Sequence, residues 1–242
     1  MKNAIREAHL LKPLLLSLCT AIWVSGCGGA ESRKAKYLEK GKEYIQQENY
    51  GKAVIELKNA LQIDPKFVEG YYLLGTAEEA RENWQQAFGS YTKAVQLDPA
   101  HLQARARLGR LYLMSGNTDE ATKMVEAILA SQPKSVAGRT LKAAIMAKKQ
   151  DAEGAIREVS SIISEDPTQT EAVGLLASVY LQLKAPDKAI DTLLKGIESN
   201  PKAIPLRIQL VNVYGLDKKN LDKIEPVIKE IISLDPDNQQ YQ

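Results

Sequence analysis

Cysteine and histidine, two residue types that often act as nucleophiles, general bases and metal ligands, are scarce in this sequence. The 242 residues include two cysteines, Cys19 and Cys27, and two histidines, His9 and His101. Two histidines are too few for a histidine-based metal site, and they leave little material for a Ser/His/Asp triad. The sequence also contains no His-Glu-x-x-His, phosphate-loop or nucleophile-elbow motif. We therefore predict a protein that is not an enzyme and that takes no metal, cofactor or small-molecule substrate.

The charge of the chain argues against one class of partner. The net charge is +2, and it arises from Lys2, Arg6, Lys12 and Glu7 near the N-terminus. Without these residues, the 32 basic and 30 acidic residues of the chain reduce to 29 of each. Nucleic-acid binding depends on a basic patch or stripe. We therefore predict that the protein does not bind nucleic acid.

Cys27 ends an N-terminal segment that is typical of exported proteins. Three basic residues among the first 12 are followed by a short apolar stretch, residues 13–24, and then by small residues. This order predicts a secretory signal peptide. The stretch is too short for a membrane-spanning helix, which needs about 20 apolar residues.

The residues at the predicted cleavage site resemble a bacterial lipobox. They read Val24-Ser25-Gly26-Cys27, and the resemblance implies a diacylglycerol on the sulfur of Cys27 and an acyl chain on its amino group. Several acyl chains together give stable membrane anchoring. Residues 1–26 are then the signal peptide, and residues 27–33 are the lipidated cysteine and a tether of at most about 20 Å. Residue 28 is glycine and not the aspartate that retains enterobacterial lipoproteins at the inner membrane. A periplasm-facing position at the outer membrane is therefore favoured.

Evenly spaced prolines organise the rest of the chain. Five prolines recur at one constant interval and a sixth arrives one position late: Pro65, Pro99, Pro133, Pro167, Pro201 and Pro236. In the same phase, small residues stand at the eighth place of the first five periods, namely Gly41, Gly75, Gly109, Ala143 and Ala177. Alanines stand at the twentieth place, namely Ala53, Ala87, Ala121, Ala155 and Ala189. A period of about 34 residues predicts helix-turn-helix repeats, and the small residues predict where the two helices of a repeat cross closely.

In period and phase, residues 34–238 resemble the tetratricopeptide repeat family. The resemblance implies an all-α fold, a right-handed superhelical solenoid of about six repeats: 34–67, 68–101, 102–135, 136–169, 170–203 and 204–238. The sixth repeat departs from the pattern, with one extra residue and with Val211, Ile224 and Pro226 at unusual places. We expect its two helices to lie farther apart or to turn differently.

The apolar residues of the last helix predict an exposed surface at the C-terminal end. They are Val227, Ile228, Ile231, Ile232 and Leu234. Because repeat arrays usually end in a polar capping helix, we expect either a continuation of the chain or a partner at this end. Residues 239–242 are then a stub that starts a further helix.

The first helices of such repeats line a concave groove that holds peptide segments of partner proteins. The second, fifth, ninth and twelfth residues of each repeat are expected to face it. The predicted groove residues are Lys42, Glu69, Tyr72, Thr76, Gln103, Arg110, Leu113, Thr140, Ser178 and Asn212. Most of them are polar, and the set includes an aromatic and an arginine, residue types that often dominate interfaces.

Together these features predict a membrane-anchored scaffold or adaptor that binds other envelope proteins during assembly or secretion. The run of residues 53–61, together with the lipobox, resembles the tetratricopeptide lipoproteins of exosortase-linked exopolysaccharide systems. That resemblance implies a role in exopolysaccharide export. An alternative is a pilotin-like lipoprotein that assists outer-membrane secretin assembly for type IV pili, since those lipoproteins are also six-repeat arrays. A distant alternative is an accessory subunit of an enzyme.

Overall fold

A computed structural model describes the backbone of residues 12–236 and the side chains of residues 29–236. This described part is all-helical, as the sequence predicted, and contains no strand. The basic start of the predicted signal peptide, the side chain of Cys27 and the stub at residues 239–242 lie outside the described residues.

Twelve α-helices and one 3₁₀ segment follow one another between Lys12 and Leu234 of the described chain. The first helices of the repeats are α1 (Lys12–Gln46), α3 (Val68–Ala80), α5 (Leu102–Met114), α7 (Val136–Lys148), α9 (Thr170–Gln182) and α11 (Ile204–Tyr214). The second helices are α2 (Tyr50–Ile63), α4 (Trp84–Leu97), α6 (Thr118–Ser131), α8 (Ala152–Glu165), α10 (Pro186–Ser199) and α12 (Ile224–Leu234). From α3 to α11, successive first helices begin at the same interval as the one that separates the prolines.

The chain divides into two compact units, Met1–Arg105 and Ala106–Gln242, which we call the N-terminal and C-terminal units. In the N-terminal unit, α3 packs against α1, α2 and α4, and α1 packs against α2. In the C-terminal unit, α7 packs against α6, α8 and α9, while α9 also packs against α8, α10 and α11. Helices of one hairpin therefore contact helices of the next, as expected for stacked helical repeats.

Small residues allow the two helices of a hairpin to cross closely. Five alanines of the second helices are fully buried, at 0% exposure: Ala53, Ala87, Ala121, Ala155 and Ala189. A Cβ atom added to Gly41 would lie 2.8 Å from Leu57 Cδ2, and one added to Gly75 would lie 2.6 Å from Tyr91 Cε1. Such distances are far below van der Waals contact, so the packing of Leu57 and Tyr91 requires glycine at these places.

The turns inside the hairpins share a left-handed residue that the sequence pattern did not predict. The fifteenth residue of five repeats has a positive φ angle: Glu48 (54°), Glu82 (59°), Gly116 (83°), Gln150 (68°) and Lys184 (54°). Gly116 is the one glycine among them, and each of the others carries a backbone strain of about 1 kcal/mol. The turn that follows compensates for this strain with main-chain hydrogen bonds, such as Asn49 N to Tyr44 O at 2.8 Å.

Aspartates close the turns between hairpins. Oδ1 of Asp64 accepts a hydrogen bond from the backbone N–H of Lys66 at 3.0 Å, and Oδ1 of Asp166 accepts one from Thr168 at 2.9 Å. Nζ of Lys34 also donates to Oδ2 of Asp64 at 2.9 Å. This hydrogen bond from Lys34 lowers the pKa of Asp64 below its ordinary value. The aspartate before the proline therefore stabilises the turn that the proline starts.

The sixth repeat has a different internal turn. The 3₁₀ segment Lys218–Lys223 lies between α11 and α12, whereas a short turn without such a segment separates α9 from α10. Pro226 lies in the first turn of α12, where its missing N–H removes no intrahelical bond. The expectation that this hairpin turns differently agrees with the geometry. Ile231 is buried, while Ile228 and Leu234 are 38% and 37% exposed.

Helix α1 continues through residues 27–33, where the sequence predicted a tether. A helical residue advances about 1.5 Å, so the six residues after Cys27 span about 9 Å and not the about 20 Å of an extended chain. Within the part of the chain that the structure describes, no helix is both long enough and apolar enough to cross a membrane.

Candidate functional site

Four residues of α3 form a polar and aromatic row on one side of this helix. They are Glu69, Tyr72, Thr76 and Glu79, and we call them the α3 row. Their spacings of three, four and three residues place neighbouring side chains on the same face of a helix. All four residues are half-buried and therefore partly accessible to a partner. The sequence predicted the first three; Glu79 was missed, although it is the twelfth residue of its repeat.

Tyr91 of α4 supports the row from the core side. Its side chain is fully buried, and its hydroxyl donates a hydrogen bond to Oε2 of Glu79 at 2.6 Å. The same hydroxyl lies 3.4 Å from Oγ1 of Thr76, which in turn donates to the carbonyl oxygen of Tyr72 at 3.1 Å. These connected hydrogen bonds hold Glu79 and Thr76 in fixed orientations.

His101 lies at the other end of the α3 row. The centroid of its ring is 5.0 Å from that of Tyr72, and its Nε2 is 3.7 Å from Oε2 of Glu69. Its Nδ1 accepts a hydrogen bond from the backbone N–H of Ala104 at 3.1 Å. Because Nδ1 is an acceptor, the proton of the neutral imidazole is on Nε2 and faces Glu69.

The chemistry of the row is that of a binding surface. Carboxylates at both ends can accept hydrogen bonds from backbone N–H groups or from cationic side chains. The tyrosine between them offers a large contact area at a low cost in side-chain entropy. The row is therefore suited to a polypeptide segment. Among the described side chains, no group of three or more His, Cys, Asp and Glu could hold a metal ion.

In the C-terminal unit, an ion pair joins two first helices that are not consecutive. Nη1 of Arg110 on α5 donates to Oε1 of Glu171 on α9 at 2.8 Å. Since α7 comes between α5 and α9 in the order of repeats, the two side chains meet across its face. Both remain accessible to solvent, at 37% and 58% exposure. Arg110 and Glu171 are the ninth and second residues of their repeats, two places that were predicted to face the groove.

Comparison with protein families gives a direct match to this sequence. The family described as tetratricopeptide repeat matches residues 78–145 and 146–211, which is more than half of the chain. The chain belongs to the tetratricopeptide repeat family. A second tetratricopeptide family, described as TPR repeat, matches residues 41–78. Comparison with curated protein sequences finds no match.

Solved structures share the tetratricopeptide fold of this chain. A tetratricopeptide repeat protein from Parabacteroides merdae has a TM-score of 0.71 at 18% identity, and the match covers 86% of this chain and 81% of that protein. A thermophilic TPR protein from Thermus thermophilus has a TM-score of 0.65 at 18% identity, with coverage of 74% and 98%. PilF from Pseudomonas aeruginosa has a TM-score of 0.57 at 17% identity, with coverage of 88% and 97%. At these identities the likeness shows the fold.

The predicted groove residues of the tetratricopeptide repeats differ in accessibility. Gln103 and Asn212 are exposed. Lys42 is half-buried, and its Nζ lies 3.3 Å from Oε1 of Glu39 on the same helix. These three residues can reach a partner, and they lie on three first helices other than α3.

Three other predicted groove residues have side-chain contacts or burial within the tetratricopeptide array itself. Oγ of Ser178 donates to the carbonyl oxygen of Gly174 at 2.9 Å. Leu113 packs on a buried cluster formed by Ala121, Val125, Leu141 and Ile145. Thr140 is 3% exposed, and its hydroxyl has no hydrogen-bond partner among the described residues. The prediction that Thr140 faces a partner is wrong, because the packing around α7 covers its side chain.

A cluster of charges in the fourth tetratricopeptide repeat joins α7 to α8. Arg139 donates from Nε to Glu158 at 2.7 Å and from Nη1 to Glu165 at 2.9 Å, and Lys142 donates to Glu158 at 3.2 Å. Burial opposes the ionisation of Glu158, but the hydrogen bonds from Arg139 and Lys142 outweigh it and lower its pKa. A carboxylate held ionised is a poor proton donor near neutral pH. We therefore assign a structural role to this cluster.

Proposed function

We propose that this chain is a lipid-anchored scaffold that docks other proteins of the bacterial cell envelope on the first-helix faces of its repeats. Arrays of the tetratricopeptide family present such faces as extended binding surfaces. In this proposal the chain performs no catalysis, and its partners are envelope proteins that act in assembly or secretion, with exopolysaccharide export as the leading process.

The α3 row is the observation that carries the docking role. Glu69 and Glu79 lie on either side of Tyr72 on one accessible helix face. The buried hydroxyl of Tyr91 holds Glu79 at 2.6 Å, so the row is ordered before a partner arrives. Preorganised side chains lose less entropy on binding, which raises affinity. An aromatic residue in the centre of such a surface is a typical hot spot.

The membrane anchor is supported by the sequence. The apolar stretch at residues 13–24 and the small residues before Cys27 have the order of a lipoprotein signal. With Cys27 lipidated, the first helix of the array would start close to the bilayer surface. Glycine at position 28 favours the outer membrane over the inner membrane in this proposal.

Lipidation of Cys27 is tested by replacing the two cysteines separately. In cells fed a labelled fatty acid, we expect Cys27→Ser to abolish labelling and to leave the signal peptide uncleaved, because serine lacks the thiol that forms the thioether. Cys19→Ser is the matched control, and it should be labelled and processed like the wild type. Labelling that survives in Cys27→Ser, or that is lost in Cys19→Ser, contradicts the assignment.

Docking on the α3 row is tested by placing a photo-crosslinking amino acid at position 72 in cells. We expect light-dependent adducts with one envelope protein, and we expect Tyr72→Ala to weaken capture of that protein by about tenfold or more. The control is the same crosslinker at Trp84, an exposed aromatic residue of α4 at 45% exposure, which should form no such adduct.

The identity of the crosslinked protein separates the two processes considered for this scaffold. An exopolysaccharide-export or synthase protein supports the leading process, and a secretin subunit supports the pilotin-like alternative. Equal adducts from positions 72 and 84, or unchanged capture by Tyr72→Ala, would refute docking on the α3 row.

A further inference from the structure

The turns inside the last three hairpins carry an excess of lysines. Residues 148–154, 182–188 and 216–223 contain seven lysines and five acidic residues. The corresponding turns of the first three hairpins, at residues 46–52, 80–86 and 114–120, contain two basic and four acidic residues. We call the turns of the last three hairpins the lysine edge. Because stacked hairpins place equivalent turns side by side, these turns form one edge of the C-terminal unit.

Exposed leucines lie among these lysines. Leu183 is 50% exposed, Leu216 is 69% exposed and Leu221 is 50% exposed. Leu183 follows α9, while Leu216 and Leu221 belong to the longer turn of the sixth repeat. A single exposed leucine is ordinary on a protein surface. Here three exposed leucines lie at the tips of two adjacent turns and are surrounded by lysines. Together these residues form an amphipathic surface.

Contacts within the C-terminal unit show that these two turns are neighbours. Nζ of Lys219 lies 3.5 Å from Asp187 in the turn of the fifth repeat and 3.3 Å from Asp217 in its own turn. Nζ of Lys188 lies 5.6 Å from the ring centroid of Tyr180. The turns of the fifth and sixth repeats are therefore joined, and at least part of the lysine edge is held in place by aromatic and ionic contacts.

The acidic residues of the edge are partly engaged by the backbone. Oδ1 of Asp151 accepts a hydrogen bond from the N–H of Gly154 at 2.8 Å, and Oδ1 of Asp217 accepts one from Lys219 at 3.1 Å. The backbone hydrogen bond from Lys219 also lowers the pKa of Asp217, so this carboxylate caps the 3₁₀ segment as an anion. By contrast, several exposed lysines of the edge, among them Lys149, Lys184 and Lys218, form no ion pair with any described residue. These lysines are available to an anionic partner.

We propose that the lysine edge lies on the surface of a bilayer that contains anionic lipids. Lysines near such a surface are attracted to the phosphate groups, and leucines among them can enter the boundary between headgroups and acyl chains. The leucines lie at the tips of protruding turns and not in a groove, which suits a flat surface better than a peptide. The edge would give the C-terminal unit a membrane contact of its own, separate from the lipid proposed for Cys27.

The proposal is tested by lysine footprinting of the full chain. The protein is reconstituted into vesicles of phosphatidylcholine, with or without about a quarter of phosphatidylglycerol, and is modified with a membrane-impermeant amine reagent. Mass spectrometry gives the rates at Lys184 and Lys218 relative to Lys195, an internal reference on α10 that is 72% exposed. Because both rates come from the same molecules, the orientation of the protein in the vesicles cancels.

We expect the relative rates at Lys184 and Lys218 to fall by about threefold or more in anionic vesicles. The protection should disappear in about 0.5 M salt, where the screening length is about 4 Å. The double variants Lys149→Glu with Lys218→Glu, and Leu183→Ser with Leu216→Ser, should each lose most of the protection at Lys184. Ile55→Ser, which changes another apolar residue of 60% exposure, is the control and should keep it. Circular dichroism checks that all variants fold.

Three results overturn the proposal. The first is equal relative rates in the two kinds of vesicle. The second is protection by soluble polyglutamate and not by anionic vesicles, which would show an edge that binds acidic polypeptides. The third is unchanged protection of Lys184 in the double variant Leu183→Ser with Leu216→Ser, which would show that the leucines do not contribute to the membrane contact. None of these results depends on lipidation of Cys27 or on capture at Tyr72, so the footprint and the proposed function can fail separately.

Discussion

Replacement of Tyr91 by alanine is expected to lower the free energy of unfolding of the N-terminal unit by about 3–5 kcal/mol, the usual cost of removing a large buried aromatic side chain. Tyr91 is fully buried. Its ring fills the space left by Gly75, where an added Cβ would come within 2.6 Å of it. Its hydroxyl donates to Glu79 at 2.6 Å. Alanine would remove both the packing and the hydrogen bond.

Two milder variants of Tyr91 separate these contributions. Tyr91→Phe keeps the ring and should lower the free energy of unfolding by about 1–2 kcal/mol, since the partly buried carboxylate of Glu79 loses the hydrogen bond from the tyrosine hydroxyl. Tyr91→Leu introduces the residue that stands at the equivalent place in the first and fifth repeats, Leu57 and Leu193. It should cost less than alanine because it refills part of the cavity.

Urea unfolding followed by circular dichroism measures the loss, and amide exchange in α3 and α4 localises it, since repeat arrays can unfold in parts. A loss in Tyr91→Ala that is no larger than the loss in Tyr91→Phe would contradict the packing role of the ring. Unchanged exchange in α3 would contradict the support that Tyr91 gives to the α3 row.

Replacement of Arg139 by methionine is expected to have the second large effect, a decrease of about 2–3 kcal/mol in the free energy of unfolding. Removing one partner of a fully buried ion pair costs about 3–5 kcal/mol, and here the side chains of Arg139 and Glu158 are 13% and 19% exposed. Methionine preserves the apolar stem but leaves Glu158 with Lys142, at 3.2 Å, as its remaining basic partner. Arg157→Met is the control. Arg157 and its partner Glu153 are 72% and 91% exposed, and such a pair contributes little.

The effect of Arg139→Met should depend on pH in a defined direction. Burial opposes the ionisation of Glu158, yet the hydrogen bonds from Arg139 and Lys142 lower its pKa below the ordinary value. A glutamate has a pKa of about 4.3 in an unfolded chain. A lower pKa in the folded chain stabilises the fold fully at pH values above about 4.3, and this stability is lost as the pH falls through the pKa of the folded state. The difference in free energy of unfolding between wild type and Arg139→Met should therefore become smaller as the pH is lowered from 7 to 3. Urea unfolding at a series of pH values measures it. A constant difference, or an equal loss in Arg157→Met, would show that the pair does not stabilise the fourth repeat.

Much of the fold could be predicted from the sequence, because a repeat imposes the same packing problem at each turn of the array. The small residues at Gly41 and Gly75 have one physical explanation, the close approach of a second helix, and the structure shows that approach. The extra residue of the sixth repeat likewise predicted a different turn, and the 3₁₀ segment Lys218–Lys223 lies between the two helices of that repeat. The left-handed residues at Glu48 and Glu82 could not be predicted, since neither is a glycine or an asparagine.

The candidate site was predicted less completely than the fold. The register of the repeats was sufficient to find Glu79 and Glu171, because both occupy places that were expected to face the groove. Their partners could not be predicted, since Tyr91 and Arg110 reach them only after the helices have packed. The burial of Thr140 was unpredictable for the same reason.

The ion pair between Arg110 and Glu171 has a mechanical consequence for the C-terminal unit. An array whose hairpins touch only their nearest neighbours bends like a spring, because small rotations at each joint add together. The ion pair joins the third and fifth repeats at an N–O distance of 2.8 Å, so opening either of the two joints beside α7 alone would break it. An exposed pair of this kind is worth about 0–1 kcal/mol. The ion pair therefore makes bending of the C-terminal unit slightly less favourable without preventing it. Added salt screens the pair and should make this part of the array easier to bend.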